Sequence, residues 1–205
     1  MTFLQLEVMK TDYIQGLLTA LKEADTDTRI KVASALRMLE DKRTTEGLMN
    51  ALDDECEEVR HEAVRALSSI ADKSSLNMLI RRLGDPDWII RRWAAFGLGN
   101  IGDRRAVEPL IVSLSDEDES VRNAAARALG DLGDTRALDA LIIALDDPEV
   151  HAHAALSLGD IGDERALVPL IRFQGLDKRG LPNYASTAIR SIKEPKTRRN
   201  ATEVQ

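Results

Sequence analysis

The sequence predicts an all-α protein, an α-solenoid of about six helix pairs with a ~31-residue repeat. Register is the first observation behind this. Arg29, Arg60, Arg91 and Arg122 stand one period apart, as do Leu21, Leu52, Leu83, Leu114 and Leu145, and Leu36, Leu67, Leu98 and Leu129. The second is helical spacing of apolar residues within each period. It shows in Leu110-Ile111-Val112-Ser113-Leu114 for a first helix and Val121-Arg122-Asn123-Ala124-Ala125-Ala126-Arg127-Ala128-Leu129 for a second. The third is composition: alanine, leucine, arginine and acids dominate, with only 3% aromatics, which suits helices rather than sheets. One pair cannot bury its apolar face, but stacked pairs share a continuous core.

The pairs are expected at residues 11–39, 42–70, 73–101, 104–132, 135–161 and 164–193. Residues 1–10 read as a capping segment over the first pair's apolar edge. Asp-Pro at 85–86 and 147–148 falls between the helices of a pair, where proline stops one helix and helps start the next. Gly-x-Ile/Leu-Gly-Asp at 99–103, 130–134 and 159–163 closes a pair. Its glycines suit left-handed positions after a helix, and its aspartate can cap the helix that follows. Pro109 and Pro169 lie within first helices and are expected to bend them. Pair five is short between Leu145 and Val150, pair six carries an insertion at 175–180, and the basic tail 194–205 is expected to be disordered.

The units Asp103-Arg104-Arg105-Ala106-Val107-Glu108-Pro109-Leu110-Ile111 and Asp163-Glu164-Arg165-Ala166-Leu167-Val168-Pro169-Leu170-Ile171 resemble HEAT-like repeats of the phycobilisome (PBS) lyase family. The resemblance covers about residues 11–192 and is strongest from 85 to 171. It implies a right-handed superhelix with the second helices on its concave side. It also implies an alternative function: a bilin lyase or chromophore-chaperone subunit working with a second chain and holding a bilin-like tetrapyrrole.

Net charge is −7, which disfavours wholesale attraction to nucleic acid or anionic membrane. A single cysteine, Cys56, excludes an intramolecular disulfide framework and fits a reducing compartment. The opening residues lack a signal-peptide pattern and no apolar run approaches a membrane span, so a cytoplasmic protein is expected. The arginine column reads as a structural ladder to loop aspartates such as Asp72, Asp103 and Asp134. It breaks at His151, which takes the arginine's place in pair five.

The repeat supplies its own control for function. Trp88 stands in register with Thr26, Glu57 and Glu119; Trp93 with Lys31, Glu62, Ala124 and His153; Phe96 with Ser34, Arg65, Arg127 and Leu156. Columns that tolerate charge face water, so these aromatics form a candidate binding patch on one second helix. The patch is Trp88, Arg92, Trp93, Phe96 and Asn100. His61, Glu62 and Arg65 are expected on one side of it, and Asn123, Arg127 and Asp131 on the other. Tryptophan and arginine dominate binding hot spots. Six arginines between 81 and 105, against three aspartates, would suit an acidic protein surface or a ligand carboxylate, although Arg81 and Arg82 fall on the outward helix of the pair.

Catalytic, cofactor and metal sites are not expected. Val59-Arg60-His61-Glu62-Ala63 resembles the His-Glu motifs of deoxyhypusine hydroxylase, a HEAT-like di-iron enzyme that needs several such pairs. The corresponding positions here are Ile30-Lys31, Arg92-Trp93, Asn123-Ala124 and Ala152-His153, so the other pairs are missing. His151 and His153, two residues apart on a helix, point to different faces. The sequence therefore reads as a non-enzymatic protein-binding scaffold or adaptor, with self-assembly as a third reading.

Overall fold

Twelve α-helices and five short 3-10 turns make up the computed structural model, which describes residues 3–176 and 184–194; no strand occurs among them. The basic tail, from residue 195, and most of the insertion in pair six lie outside the described residues. The chain divides into two compact units, Met1–Ile101 and Gly102–Gln205.

The first unit contains α1 (Phe3–Glu23), α2 (Thr26–Leu39), α3 (Thr45–Ala51), α4 (Glu57–Ile70), α5 (Leu76–Arg82) and α6 (Trp88–Ile101). The second contains α7 (Val107–Ser113), α8 (Glu119–Leu132), α9 (Leu138–Ala144), α10 (His151–Ile161), α11 (Leu167–Leu176) and α12 (Tyr184–Lys193). Residues 3–10, expected as a capping segment, are the start of the continuous helix α1. In the first unit α4 packs between α2 and α6, and each odd-numbered helix lies against the even-numbered helix that follows it. In the second unit α10 likewise packs between α8 and α12. Leucines fill the cores: Leu36, Leu52, Leu67 and Leu98 in one unit, Leu129, Leu141 and Leu158 in the other, are all fully buried, whereas Leu83 and Leu114 of the first column are half-buried.

Capping explains the regular starts. Asp41, Asp72, Asp103, Asp134 and Asp163 each accept a backbone N–H from two residues on, at 2.9–3.3 Å, opening the 3-10 turn that leads into a first helix. Arg43, Arg105, Arg136 and Arg165 fold back to donate Nε to the same carboxylates, at 3.0–3.1 Å. Those hydrogen bonds hold Asp134 down to about 2.

Four local expectations need correction. Pro109 and Pro169 bend no long helix. Each is the third residue of its helix, in the first turn, where a missing N–H costs little because those donors have no helical acceptor in any case. The paired glycines divide their labour. Gly102, Gly133 and Gly162 are left-handed, with φ of 61–75°, whereas Gly130 and Gly159 sit inside helices against a neighbouring backbone. The shortening of pair five falls on the start of α10, not on its loop: α10 begins at His151, in register with the fourth residue of α8.

The fourth correction concerns the arginine column, whose guanidiniums hold backbone carbonyls of the preceding loops. Arg60 Nη1 donates to the carbonyls of Asp54 and Glu55 at 2.9 and 3.1 Å, Arg91 Nη1 to those of Asp85 and Pro86 at 3.0 and 3.1 Å, and Arg122 Nη1 to those of Asp116 and Glu117 at 2.9 and 3.2 Å. Each guanidinium thus ties down the loop that precedes its own helix. Arg29 and Arg122 also reach the carboxylate of the next such loop, Asp54 at 2.9 Å and Asp147 at 2.7 Å. The aspartates first assigned to the ladder are occupied as caps.

Candidate functional site

Helix α6 carries the aromatic patch, and its start is set by Asp87, whose Oδ1 accepts the Ile89 N–H at 2.9 Å. The buried face of α6 is Ile90, Ala94, Ala95, Leu98 and Ile101, at helical spacing. Trp88, Arg92, Trp93 and Phe96 fall outside that stripe. Trp88 is 40% exposed, and Arg92, Trp93 and Phe96 are half-buried. Neither indole is sealed into the core.

Trp93 is the hub. The Phe96 ring meets it edge-on, with centroids 5.5 Å apart and planes at 85°, the arrangement that aromatic quadrupoles favour. Two guanidiniums lie over the indole, Arg92 at 5.2 Å and Arg65, from α4, at 5.7 Å from the ring centroid. Both are within cation–π range. Glu62 holds Arg65 at 2.7 Å and also receives Arg37 Nε at 3.3 Å. Arg37, Glu62 and Arg65 therefore form a charged row ending on the Trp93 ring.

Two of the expected patch members serve the scaffold. Asn100 is exposed, but its Nδ2 donates to the Ser68 carbonyl at 3.0 Å, satisfying an acceptor in the last turn of α4. His61 is 9% exposed and its Nε2 meets Asp87 Oδ2 at 2.5 Å, with Glu57 Oε1 3.7 Å from the same nitrogen. The His61–Asp87 pair was not legible from spacing. Its signal is that Asp87 opens α6 one turn of the repeat after Cys56, the residue just before α4, and only helix packing turns that offset into contact.

In the second unit, Asn123, Arg127 and Asp131 follow one another on α8. Asn123 Nδ2 donates to the carbonyls of Glu119 and Glu149, each at 3.0 Å. Arg127 and Asp131 are exposed and 3.9 Å apart. Partial desolvation raises the Asp131 carboxyl, with Arg127 opposing and Asp160 adding to the rise. His151 is buried beside Phe173, its ring centroid 5.3 Å away, while His153 is exposed, so the two imidazoles do diverge.

The helix pairs, their period and the buried leucine columns match a family model described as HEAT repeats over residues 14–95 and 76–149. The chain belongs to the HEAT-repeat family. A PBS lyase HEAT-like repeat also matches at 150–174. Among solved structures, this HEAT-repeat protein is similar to YibA of Escherichia coli (TM-score 0.69, 22% identity, 89% of this chain and 68% of that one). It is also similar to a designed armadillo repeat protein in complex with the peptide (KR)4 (TM-score 0.66, 21% identity, 86% of this chain and 98% of that one). A third is the complex of CpcE and CpcF of phycocyanin lyase from Nostoc sp. PCC7120 (TM-score 0.63, 20% identity, 88% of this chain and 93% of that one). At these identities the likeness is one of fold: helical-repeat scaffolds of the armadillo and HEAT type. No curated protein sequence matches the chain significantly. No helix among the described residues is long and apolar enough to cross a membrane.

Proposed function

We propose that this HEAT-repeat protein is a non-enzymatic scaffold that captures another protein through Trp88, Arg92, Trp93 and Phe96, with Arg65 and Glu62 shaping one edge. The observation that carries this is the exposure of Trp88 on the same helix as a half-buried Trp93 overlaid by two guanidiniums. The first unit's own equivalents of these two tryptophans are Thr26 and Glu57, and Lys31 and Glu62, so the scaffold itself does not require an aromatic at either column. Aromatic rings offer apolar area at low entropic cost, and overlying arginines add a positive rim, which suits an acidic protein surface. The designed armadillo protein that binds a peptide and the CpcE–CpcF pair are similar folds that hold protein partners, which supports the same class of occupant here.

The test is affinity capture from native extract with the wild type and with Trp93→Ala/Phe96→Ala. Capture is expected to disappear while helicity and melting stay nearly unchanged. Loss of stability in parallel with loss of capture would instead make the aromatics packing residues. Bilin added to the purified chain, read by visible absorbance, checks the lyase alternative; a spectral shift that Arg92→Ala removes would favour it.

A further inference from the structure

We propose that Glu57, His61 and Asp87 form a divalent transition-metal site in the first unit. Their ligand atoms all lie within 4.8 Å of one another. A tetrahedral ion with bonds of about 2.0–2.2 Å to nitrogen and oxygen holds its ligands roughly 3.3–3.5 Å apart. The His61 Nε2–Glu57 Oε1 distance of 3.7 Å already approaches that spacing. Nε2 and Asp87 Oδ2, hydrogen-bonded at 2.5 Å, need to part by about 1 Å as an ion replaces the shared proton. An imidazole that ligates through Nε2 carries its proton on Nδ1, and the two carboxylates would balance the charge of a divalent ion.

Two of the three ligands are held in place before any ion arrives. His61 is buried on α4. Asp87 is fixed from both sides, its Oδ1 accepting the Ile89 N–H and its own N–H donating to Asp85 Oδ1 at 3.0 Å, the kind of outer support that metal-binding carboxylates use. Glu57, in the first turn of α4, has a 63% exposed side chain whose Oε1 already stands 3.7 Å from His61 Nε2. One imidazole with two carboxylates suits zinc, cobalt or nickel rather than calcium or magnesium, which prefer all-oxygen shells. Three protein ligands leave a fourth position for water. The opposing feature is Arg60, whose charge acts on Asp87; its Nη1 is tied to the Asp54 and Glu55 carbonyls.

The simpler alternative is a hydrogen bond from His61 that orients Asp87 as the α6 cap. That role does not involve Glu57, so Glu57 separates the two. The full chain, stripped with a chelator, is titrated with Co²⁺ and followed by visible absorption and by fluorescence of Trp88, which adjoins Asp87. One equivalent of Co²⁺ is expected to bind and to be displaced by Zn²⁺. Glu57→Gln should weaken Co²⁺ binding by about tenfold or more while leaving the metal-free melting temperature unchanged. His61→Gln should abolish the absorption bands. Because His61→Gln removes a buried group and can cost the fold, Glu57→Gln is the deciding variant. Absence of Co²⁺ binding, or binding equally tight in Glu57→Gln, overturns the site. Neither result bears on partner capture by Trp93 and Phe96, which is read separately.

Discussion

Glu40 and Ala71 hold the helix-ending position that glycine holds in later repeats, and all five residues of that column are left-handed, with φ of 48° and 50° at the two non-glycines and 71°, 61° and 75° at Gly102, Gly133 and Gly162. A side chain in that conformation costs about 1–2 kcal/mol, while glycine gives back about 0.4–1 kcal/mol through a looser unfolded chain. Ala71→Gly should therefore raise stability by roughly 0.5 kcal/mol in urea unfolding, and Gly133→Ala should lower it by a similar amount. The second test is clean because a Cβ at Gly133 meets nothing within 4 Å. Charge at the capping aspartates makes a separate prediction. The folded-state value of Asp134, about 2, lies below the ordinary unfolded value of about 3.9. Its stabilising contribution is thus fully present above pH ~4 and is lost as pH falls through about 2. Asp134→Asn should flatten the acid limb of a melting-temperature profile between those limits. At this scale the caps were legible because Asp and Gly recur at fixed offsets. The partners of Arg60 and Arg122 were not, since backbone carbonyls have no signature in a sequence.

Helices α8 and α10, and α10 and α12, come together through small residues. A Cβ on Gly130 would meet the Ser157 Cα at 2.9 Å, and one on Gly159 the Ala188 Cα at 2.8 Å. In the first unit the same kind of contact joins Gly97 to Ser68, whose hydroxyl lies 2.7 Å from both the Val64 and Trp93 carbonyls. Alanine is the better helix former by about 1 kcal/mol, but overpacking against backbone costs about 1–3 kcal/mol and cannot be relieved by a rotamer change. Gly130→Ala is therefore expected to lower the melting temperature, and Gly130→Val to lower it further. A rise with alanine would mean that the helices separate freely. Helical periodicity revealed which residues each helix buries, yet Gly130 and Gly159 read as helix stops. Their role depends on a surface contributed by a residue about one repeat away. The patch on α6 shows the converse: Trp88 and Trp93 could be placed outside the core because their columns hold charge in other repeats. The pairing of Asp87 with His61 had no such signal, since the two residues lie on different helices.

A repeat chain makes nearly all its tertiary contacts one repeat away, so a period read from the sequence contains most of the fold; the proposed binding surface is less legible because no spacing in the sequence specifies what a partner would touch. The same locality governs how the molecule should come apart. When each repeat is supported mainly by its neighbours, a local insult weakens that neighbourhood before it weakens the whole. Gly159→Val, at the contact between α10 and α12, provides that insult without altering a charge or a cap. Native-state hydrogen exchange should then show amides of α10 and α12 losing protection, while those of α2 and α4 in the first unit keep theirs. Far-UV circular dichroism should accordingly broaden its thermal transition rather than simply shift it. If protection falls by the same factor in every helix, the chain unfolds as one cooperative body and the nearest-neighbour account fails. A uniform loss would also change how Trp93→Ala/Phe96→Ala is judged: any destabilisation on α6 would then spread through the whole chain, and capture would have to be measured well below the melting temperature of the variant.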